Sequence, residues 1–213
     1  MDKSVVLWSG GFDSTGLVLW ALNQNYEVFP LFLNRHQSNY KWEKKAIDSL
    51  YVNIKANYPD LRLNPVREFE IITPPKELKS EFSKSNFKFV YFLRNSDLLI
   101  NAIRLALCLK SKNIFMGSVM EDIQESQNFP DNHPEYLKFK NLEINKALDI
   151  MKIDKLHIKT PFTENNWGKE EILNFLKDQF NKVDLKLTRS CYTDTEAPCE
   201  QCKACNNRQK LNL

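Results

Sequence analysis

The sequence is poor in glycine, with 5 in 213 residues, and it holds 9 prolines. That scarcity excludes collagen-like and linker-like chains and argues against a turn-rich all-β fold. Long apolar runs are missing as well. The longest, Gly16 to Leu22, falls far short of the roughly 20 residues that a bilayer-crossing helix needs. No signal-peptide pattern opens the chain, because Val5–Trp8 is broken at once by Ser9-Gly10-Gly11. A cytoplasmic location without a membrane partner is expected. Charge of one sign is not in excess either: 30 basic and 27 acidic residues leave +3, too little to predict a nucleic-acid partner. What is present is a 42% apolar content, enough for a core and against disorder. The length fits one domain with at most a small appendage.

Short apolar runs alternate with helical periodicity. Strands are predicted at 5–8, 27–33, 67–72, 113–116 and 155–158. Helices are predicted at 14–25, 40–58, 96–110 with Ser96 as cap, 134–150 opening on Pro134, and 168–180. Residues 73–88 read as a stop followed by a loop or short helix, and 118–133 as a polar loop. This alternation predicts an α/β fold, doubly wound around a mostly parallel sheet, in residues 1–185, with a C-terminal element in 186–213. Ligands of such sheets bind beyond the carboxyl ends of the strands. The loops at 9–15, 34–40, 117–133 and 160–169 all fall there.

The first of these loops is Trp8-Ser9-Gly10-Gly11-Phe12-Asp13-Ser14-Thr15, set between a strand and a helix. Glycines expose backbone N–H groups, and the helix that follows adds positive charge at its start, so the segment is an anion site. Ser9, Ser14 and Thr15 add hydroxyls. Asp13 suits a helix cap or a Mg2+ ion that travels with a nucleotide. Two better-known motifs are excluded: Leu17-Val18 stands where a Walker-type loop needs Lys-Ser/Thr, and no G-x-G-x-x-G occurs.

Of five cysteines, Cys108 sits alone on a helical pattern and reads as a core residue. Cys191, Cys199, Cys202 and Cys205 have the number and spacing of a closed tetrahedral zinc site, with an iron–sulfur cluster as the rival. All four sulfurs being used, the ion is structural and pins the C-terminal element. Trp42 and Trp167 are candidates for an interface between two copies of the chain. His157, inside a strand pattern, reads as structural.

Residues 9–15 closely resemble the SGGxDS loop of the adenine-nucleotide α-hydrolase-like, or PP-loop, ATPases. That resemblance implies cleavage of ATP between the α and β phosphates. Together with Ser190-Cys191-Tyr192 and the Cys-x2-Cys-x2-Cys-x2-Arg208 run, the chain resembles the QueC family of 7-cyano-7-deazaguanine synthases over nearly its whole length. Arg94-Asn95 is similar to that family's RN element, Gly117 and Asp122 to its G-x-N-x-x-D stretch, and Phe129–Tyr136 to YPDCRPEF. Thr160-Pro161 and Lys169 match TP…K, and Arg35-His36 is similar to QRH. The departures are Val119 for a polar residue, Asn132-His133 for Cys-Arg, and Glu43 where a nearer glutamate is usual.

The resemblance implies an ATP-dependent ligase that adenylates 7-carboxy-7-deazaguanine or a relative and couples it to ammonia or an amine, giving amide or nitrile. Partners would be that deazapurine, ATP and ammonia; cofactors would be structural Zn2+ and Mg2+ with ATP. Trp8–Thr15 would bind ATP. Asp13, Lys169 and His133 are candidates for the chemistry. Arg35, Arg94, Asn95, Gly117, Asp122, Asp131 and Glu135 are candidates for the substrate, the carboxylates reading N–H edges of a purine-like ring. Three alternatives share the loop: a phage-defence paralogue attaching a deazaguanine to a protein partner, a tRNA-modifying enzyme, and a silent nucleotide-binding subunit.

Overall fold

The computed structural model describes residues 2–75, 92–124 and 130–213. The strands are β1 (Lys3–Leu7), β2 (Glu27–Asn34), β3 (Arg67–Glu70), β4 (Asn113–Phe115) and β5 (His157–Lys159). They form one sheet in the order β3-β2-β1-β4-β5, and every neighbouring pair is parallel. Val5 at the centre faces Phe29 on one side and Ile114 on the other. The helices are α1 (Phe12–Asn23), α2 (Tyr40–Asn57), α3 (Arg94–Leu109), α4 (Met120–Gln124), α5 (Pro134–Met151), α6 (Pro161–Glu164), α7 (Lys169–Gln179) and α8 (Lys203–Lys210).

Alternation along β1 divides the core. Val6 joins a cluster with Leu17, Leu22, Ile47, Ile54 and Ile172, contributed by α1, α2 and α7. Val5 and Leu7 join the other, with Leu99, Ile103, Leu137 and Leu148 from α3 and α5. The sheet is therefore covered on both faces, as parallel sheets require. The chain leaves β1 toward β2 on one side and β4 on the other, so a crevice opens between the ends of β1 and β4. Gly117, just after β4, lies there: a Cβ on it would sit 3.4 Å from the Cα of Ser14.

The free edge of β5 is closed by side chains rather than by another strand. Asn141 accepts from the Ile158 amide and donates to its carbonyl, both at 2.8 Å. One helical turn on, Asn145 does the same for Leu156, at 2.9 and 2.8 Å. These groups would otherwise template pairing with another chain.

Several sequence expectations are corrected. The 96–110 helix begins two residues earlier, at Arg94, and Ser96 does not cap it: the Ser96 amide instead donates to Asp131 Oδ2 at 3.0 Å. The supposed loop at 118–133 contains α4 and a 3-10 turn at Pro130–Asn132. The loop or short helix expected up to residue 88 lies largely outside the described residues, as do 125–129. Cys108 is exposed rather than in the core, and His157 is exposed on the edge strand. Trp167 is half-buried against Phe162 and Phe175, and Trp42 is half-buried with Arg189 over its ring.

Gly16 marks where α1 touches α7, because a Cβ there would fall 2.6 Å from Ile172 Cγ2. Helix propensity alone favours Gly16→Ala by about 1 kcal/mol. Overpacking of this kind costs about 1–3 kcal/mol and wins. Urea unfolding is expected to show Gly16→Ala destabilised in the native background and neutral or stabilising in an Ile172→Ala background.

Candidate functional site

The site starts from a bend that only one kind of residue makes easily. Gly10 has φ +74°, and a Cβ on it would lie 3.0 Å from the Glu43 carbonyl and 3.1 Å from Ile47. That bend turns β1 directly into the start of α1. The first-turn amides of α1 have no acceptor inside the helix and, with the helix dipole, offer a cradle for an anion. Ser9 and Ser14 brace the cradle: the Ser9 amide donates to Ser14 Oγ at 3.2 Å, the two hydroxyls lie 3.1 Å apart, and Ser14 donates to the Gly11 carbonyl. The side chains of Trp8, Phe12 and Thr15 are buried, and the Trp8 indole donates to Thr15 Oγ1 at 3.0 Å. These three side chains set the loop's shape from its buried side.

Opposite the cradle stands a compact charged group. Lys169 Nζ meets Asp13 Oδ2 at 2.5 Å, with the lysine side chain only 16% exposed. Burial works against the ammonium, but Asp13, Asp122 and Glu121 together more than offset it, and the Lys169 pKa rises above the ordinary 10.5. Asp122 is pushed upward, first by burial and then by the Asp13 charge; its Oδ2 accepts from the Val119 amide at 3.2 Å. Glu121 accepts from the Lys169 amide at 3.0 Å, at the start of α7. Asp13 Oδ1 and Glu121 Oε2 are both buried without a hydrogen-bond partner.

A second group lies beyond β2 and at the start of α3. Glu43 is buried, held by Gln37 Nε2 at 2.6 Å and Asn39 Nδ2 at 3.0 Å. Burial raises its pKa, while those donors and the charges of Arg35 and Arg94 pull the other way. Arg94 also donates to Asn95 Oδ1, and Asn95 donates to Asp131 at 3.2 Å and Asn132 at 2.6 Å. Asp131 is thus a buried acceptor for the first turn of α3. His133 Nδ1 accepts from the Glu135 amide at 3.3 Å, so these two residues meet at the start of α5. The structure brings Asp13, Gly117, Asp122 and Lys169 to one place; Asn95, Asp131, His133 and Glu135 are engaged at helix starts.

The tail reaches back to the loop. The Arg189 amide donates to the Gly10 carbonyl at 2.7 Å, and Ser190 Oγ is 3.5 Å from the Phe12 amide. Asn39 donates to the Cys191 carbonyl at 3.1 Å. The four thiols lie within 4.8 Å of one another and can hold a metal ion. Amides of Cys199 and Cys202 donate to the sulfurs of Cys191 and Cys199. For Cys191, burial opposes the thiolate, but the Cys199 amide and Thr193 prevail and bring the thiol down to about 6. Burial and the neighbouring sulfurs push Cys205 up to about 12. Sequence reasoning missed Glu121, Ser190 and Tyr192 as site residues. Tyr192 stands within electrostatic reach of Arg94, Asp122 and Lys169, and its place beside Cys191 was the available signal.

Comparison with known proteins gives the same picture. The family model for queuosine biosynthesis protein QueC matches residues 3–211. The chain is 30% identical over 215 residues to the 7-cyano-7-deazaguanine synthase of Picrophilus torridus, covering 99% of this chain and 87% of that protein. It is 29% identical over 225 residues to the enzyme of that name from Methanococcus maripaludis, covering 98% and 93%. Among solved structures it is similar to the U34-tRNA thiolase NcsA of Methanococcus maripaludis with its 4Fe–4S cluster. That match has a TM-score of 0.50 at 14% identity, spans 99% of this chain and 66% of the thiolase chain, and bears on the fold alone.

The raised Asp122 pKa makes a stability statement with a definite sign. A carboxyl that holds its proton more tightly in the folded state loses stability on ionising. The loss is absent below the ordinary value of 3.8 and complete above the raised folded value. Asp122→Asn is therefore expected to be more stable than the native protein at pH 7. The gain should vanish as pH falls through that window, which urea unfolding at several pH values measures.

Proposed function

The chain belongs to the queuosine biosynthesis protein QueC family, and from that premise we propose that it is an ATP-dependent C–N ligase acting on 7-carboxy-7-deazaguanine or a close relative. The observation that carries this reading is the braced cradle at the start of α1 facing the buried Lys169–Asp13 pair. A carboxylate resists attack by ammonia because its leaving group would be oxide. Its oxygen attacks the α-phosphorus of ATP, and pyrophosphate departs. Ammonia then attacks the acyl carbon, AMP leaves, and an amide forms. A second adenylation on the amide oxygen, with loss of two protons from nitrogen and departure of AMP, gives the nitrile.

In this reading the α1 amides, Ser9 and Ser14 hold the leaving pyrophosphate, where preorganised donors act on developing charge. Lys169, kept protonated by its carboxylates, adds a fixed positive charge beside it. Mg2+ fits the donor set of Asp13 Oδ1 and Glu121 Oε2, with Asp122 beside them, and would supply neutralisation of phosphate charge when bound. Arg35 and Arg94 are the cations for the substrate carboxylate, and Tyr192 overhangs the same ground. Asn132 is occupied by Asn95, so this departure from the family pattern serves the α3–α5 contact.

Zn2+ is the ion proposed for the thiols. One tetrahedral ion with bonds of about 2.3 Å brings four sulfurs this close, whereas cysteines around a cubane cluster stand farther apart. The ion would fix Ser190 and Arg189 against the loop. Because the thiols must shed protons to bind it, loss of metal on acidification is the corresponding behaviour.

The test is incubation with α-labelled ATP, ammonia and 7-carboxy-7-deazaguanine. AMP, pyrophosphate and the nitrile are expected; ADP as the nucleotide product would sink the reading. Lys169→Gln is expected to lower kcat/KM by about a hundredfold or more, the effect of removing one charge-stabilising group.

A further inference from the structure

A second pocket, of about 240 Å3, lies behind the phosphate loop, between α2, the 185–190 segment and the metal loop. Its charged lining is one-sided. Lys45, Lys186, Arg189 and Arg208 face a single carboxylate, Glu196, which pairs with Lys45 at 2.8 Å. Cations also gather on the Trp42 ring: Lys41, Lys45 and Arg189 lie 5.0, 5.5 and 5.9 Å from its centroid. Assembling like charges is unfavourable unless something answers them.

Two residues of this lining each carry a buried donor without an acceptor, Trp42 Nε1 and Arg189 Nε. Arg189 is only 8% exposed, and its terminal nitrogens make three bonds, to the carbonyls of Thr193, Thr195 and Glu196 at 2.7–3.0 Å. A buried donor without an acceptor costs about 1–3 kcal/mol. Arg208 donates to Thr188 Oγ1, which itself donates to the Leu185 carbonyl; the remaining surplus of positive charge, with hydroxyls from Ser49 and Ser190, is the chemistry of an oxyanion site. It is not that of a cation or an apolar ligand. The volume admits phosphate or pyrophosphate.

We propose that this pocket binds a phosphate-type oxyanion at a site separate from the cradle at the start of α1. The two sites share a wall. Arg189 holds the Gly10 carbonyl, and Ser190, which lines the pocket, reaches the Phe12 amide. An anion in the pocket would therefore stiffen the tail against the loop. The inference does not depend on which acid is adenylated, nor on whether ATP is cleaved.

The metal-loaded full chain, labelled with 15N, provides the test. It has four tryptophans, and Trp42→Phe assigns the Trp42 indole signal. Inorganic phosphate and pyrophosphate are titrated separately at constant ionic strength, without nucleotide. Saturable movement of the Trp42 signal is expected, weakened at least tenfold in Lys45→Gln/Lys186→Gln, whose side chains are exposed and leave folding intact. The response is also expected to persist in Ser9→Ala/Ser14→Ala, which removes the hydroxyls that brace the cradle. A signal that stays still, or drifts equally under chloride, means an adventitious ion only and overturns the proposal. So does a response that disappears in the Ser9→Ala/Ser14→Ala variant, since the anion would then sit on the cradle. ATP binding lost in that variant while the Trp42 response persists separates the two sites; ATP binding retained there would count against the cradle reading alone.

Discussion

Three parts of the molecule meet at one glycine. Gly10 occupies a left-handed bend with Glu43, Ala46 and Ile47 of α2 within 3.2 Å of where a side chain would begin. Its carbonyl is taken by the Arg189 amide at 2.7 Å. The first strand, the second helix and the tail are thereby locked around the loop whose amides form the anion cradle. A methyl group at this position would strain the backbone and push α2 away. The positions of Glu43, of Ser190 and of the metal loop all follow from this contact.

Around the cradle the balance of electrostatic terms is set by numbers of charges. A lone buried lysine would lose its proton more readily than in water. Lys169 instead sits with Asp13, Glu121 and Asp122, and their attraction prevails. Asp122 resists ionisation first because it is buried and then because the Asp13 charge lies beside it. Such a cluster is poorly optimised for stability. Sites that conflict with folding in this way are where function is commonly found.

Much of this was legible in the sequence, for identifiable reasons. All five strands, the main helices and the parallel winding follow from apolar periodicity, which the two-sided core enforces at Val5, Val6 and Leu7. The loop was legible because glycine is scarce and two glycines stand together after the first strand. The thiols were legible from their spacing. Short helices such as α4 and α6 left no periodicity to read. Cys108 was misjudged because an apolar helix still has an outer face. The bond from Ser96 to Asp131 left no local signal, because the two residues are 35 positions apart. Glu121 acquires its meaning only when α7 arrives from 48 residues on.

The distance along the chain also explains why a metal belongs on the tail. Phe12 and Ser190 are 178 positions apart. Closing so long a loop costs about 2 kcal/mol more than closing one the size of the thiol segment, since the penalty grows with the logarithm of length. The tail offers little apolar surface to repay it, chiefly Leu211 and its neighbours Leu185, Leu187 and Leu213. Four thiols between 191 and 205 close a short loop first, at small entropic cost, and make Arg189 and Ser190 part of a stiff unit. Docking then loses far less freedom than a floppy tail would. The carbonyls of Thr193, Thr195 and Glu196 clamp Arg189 from inside that same metal loop. Metal order is thus transmitted to the Gly10 carbonyl by one residue, and the anion cradle inherits its rigidity from a centre outside it.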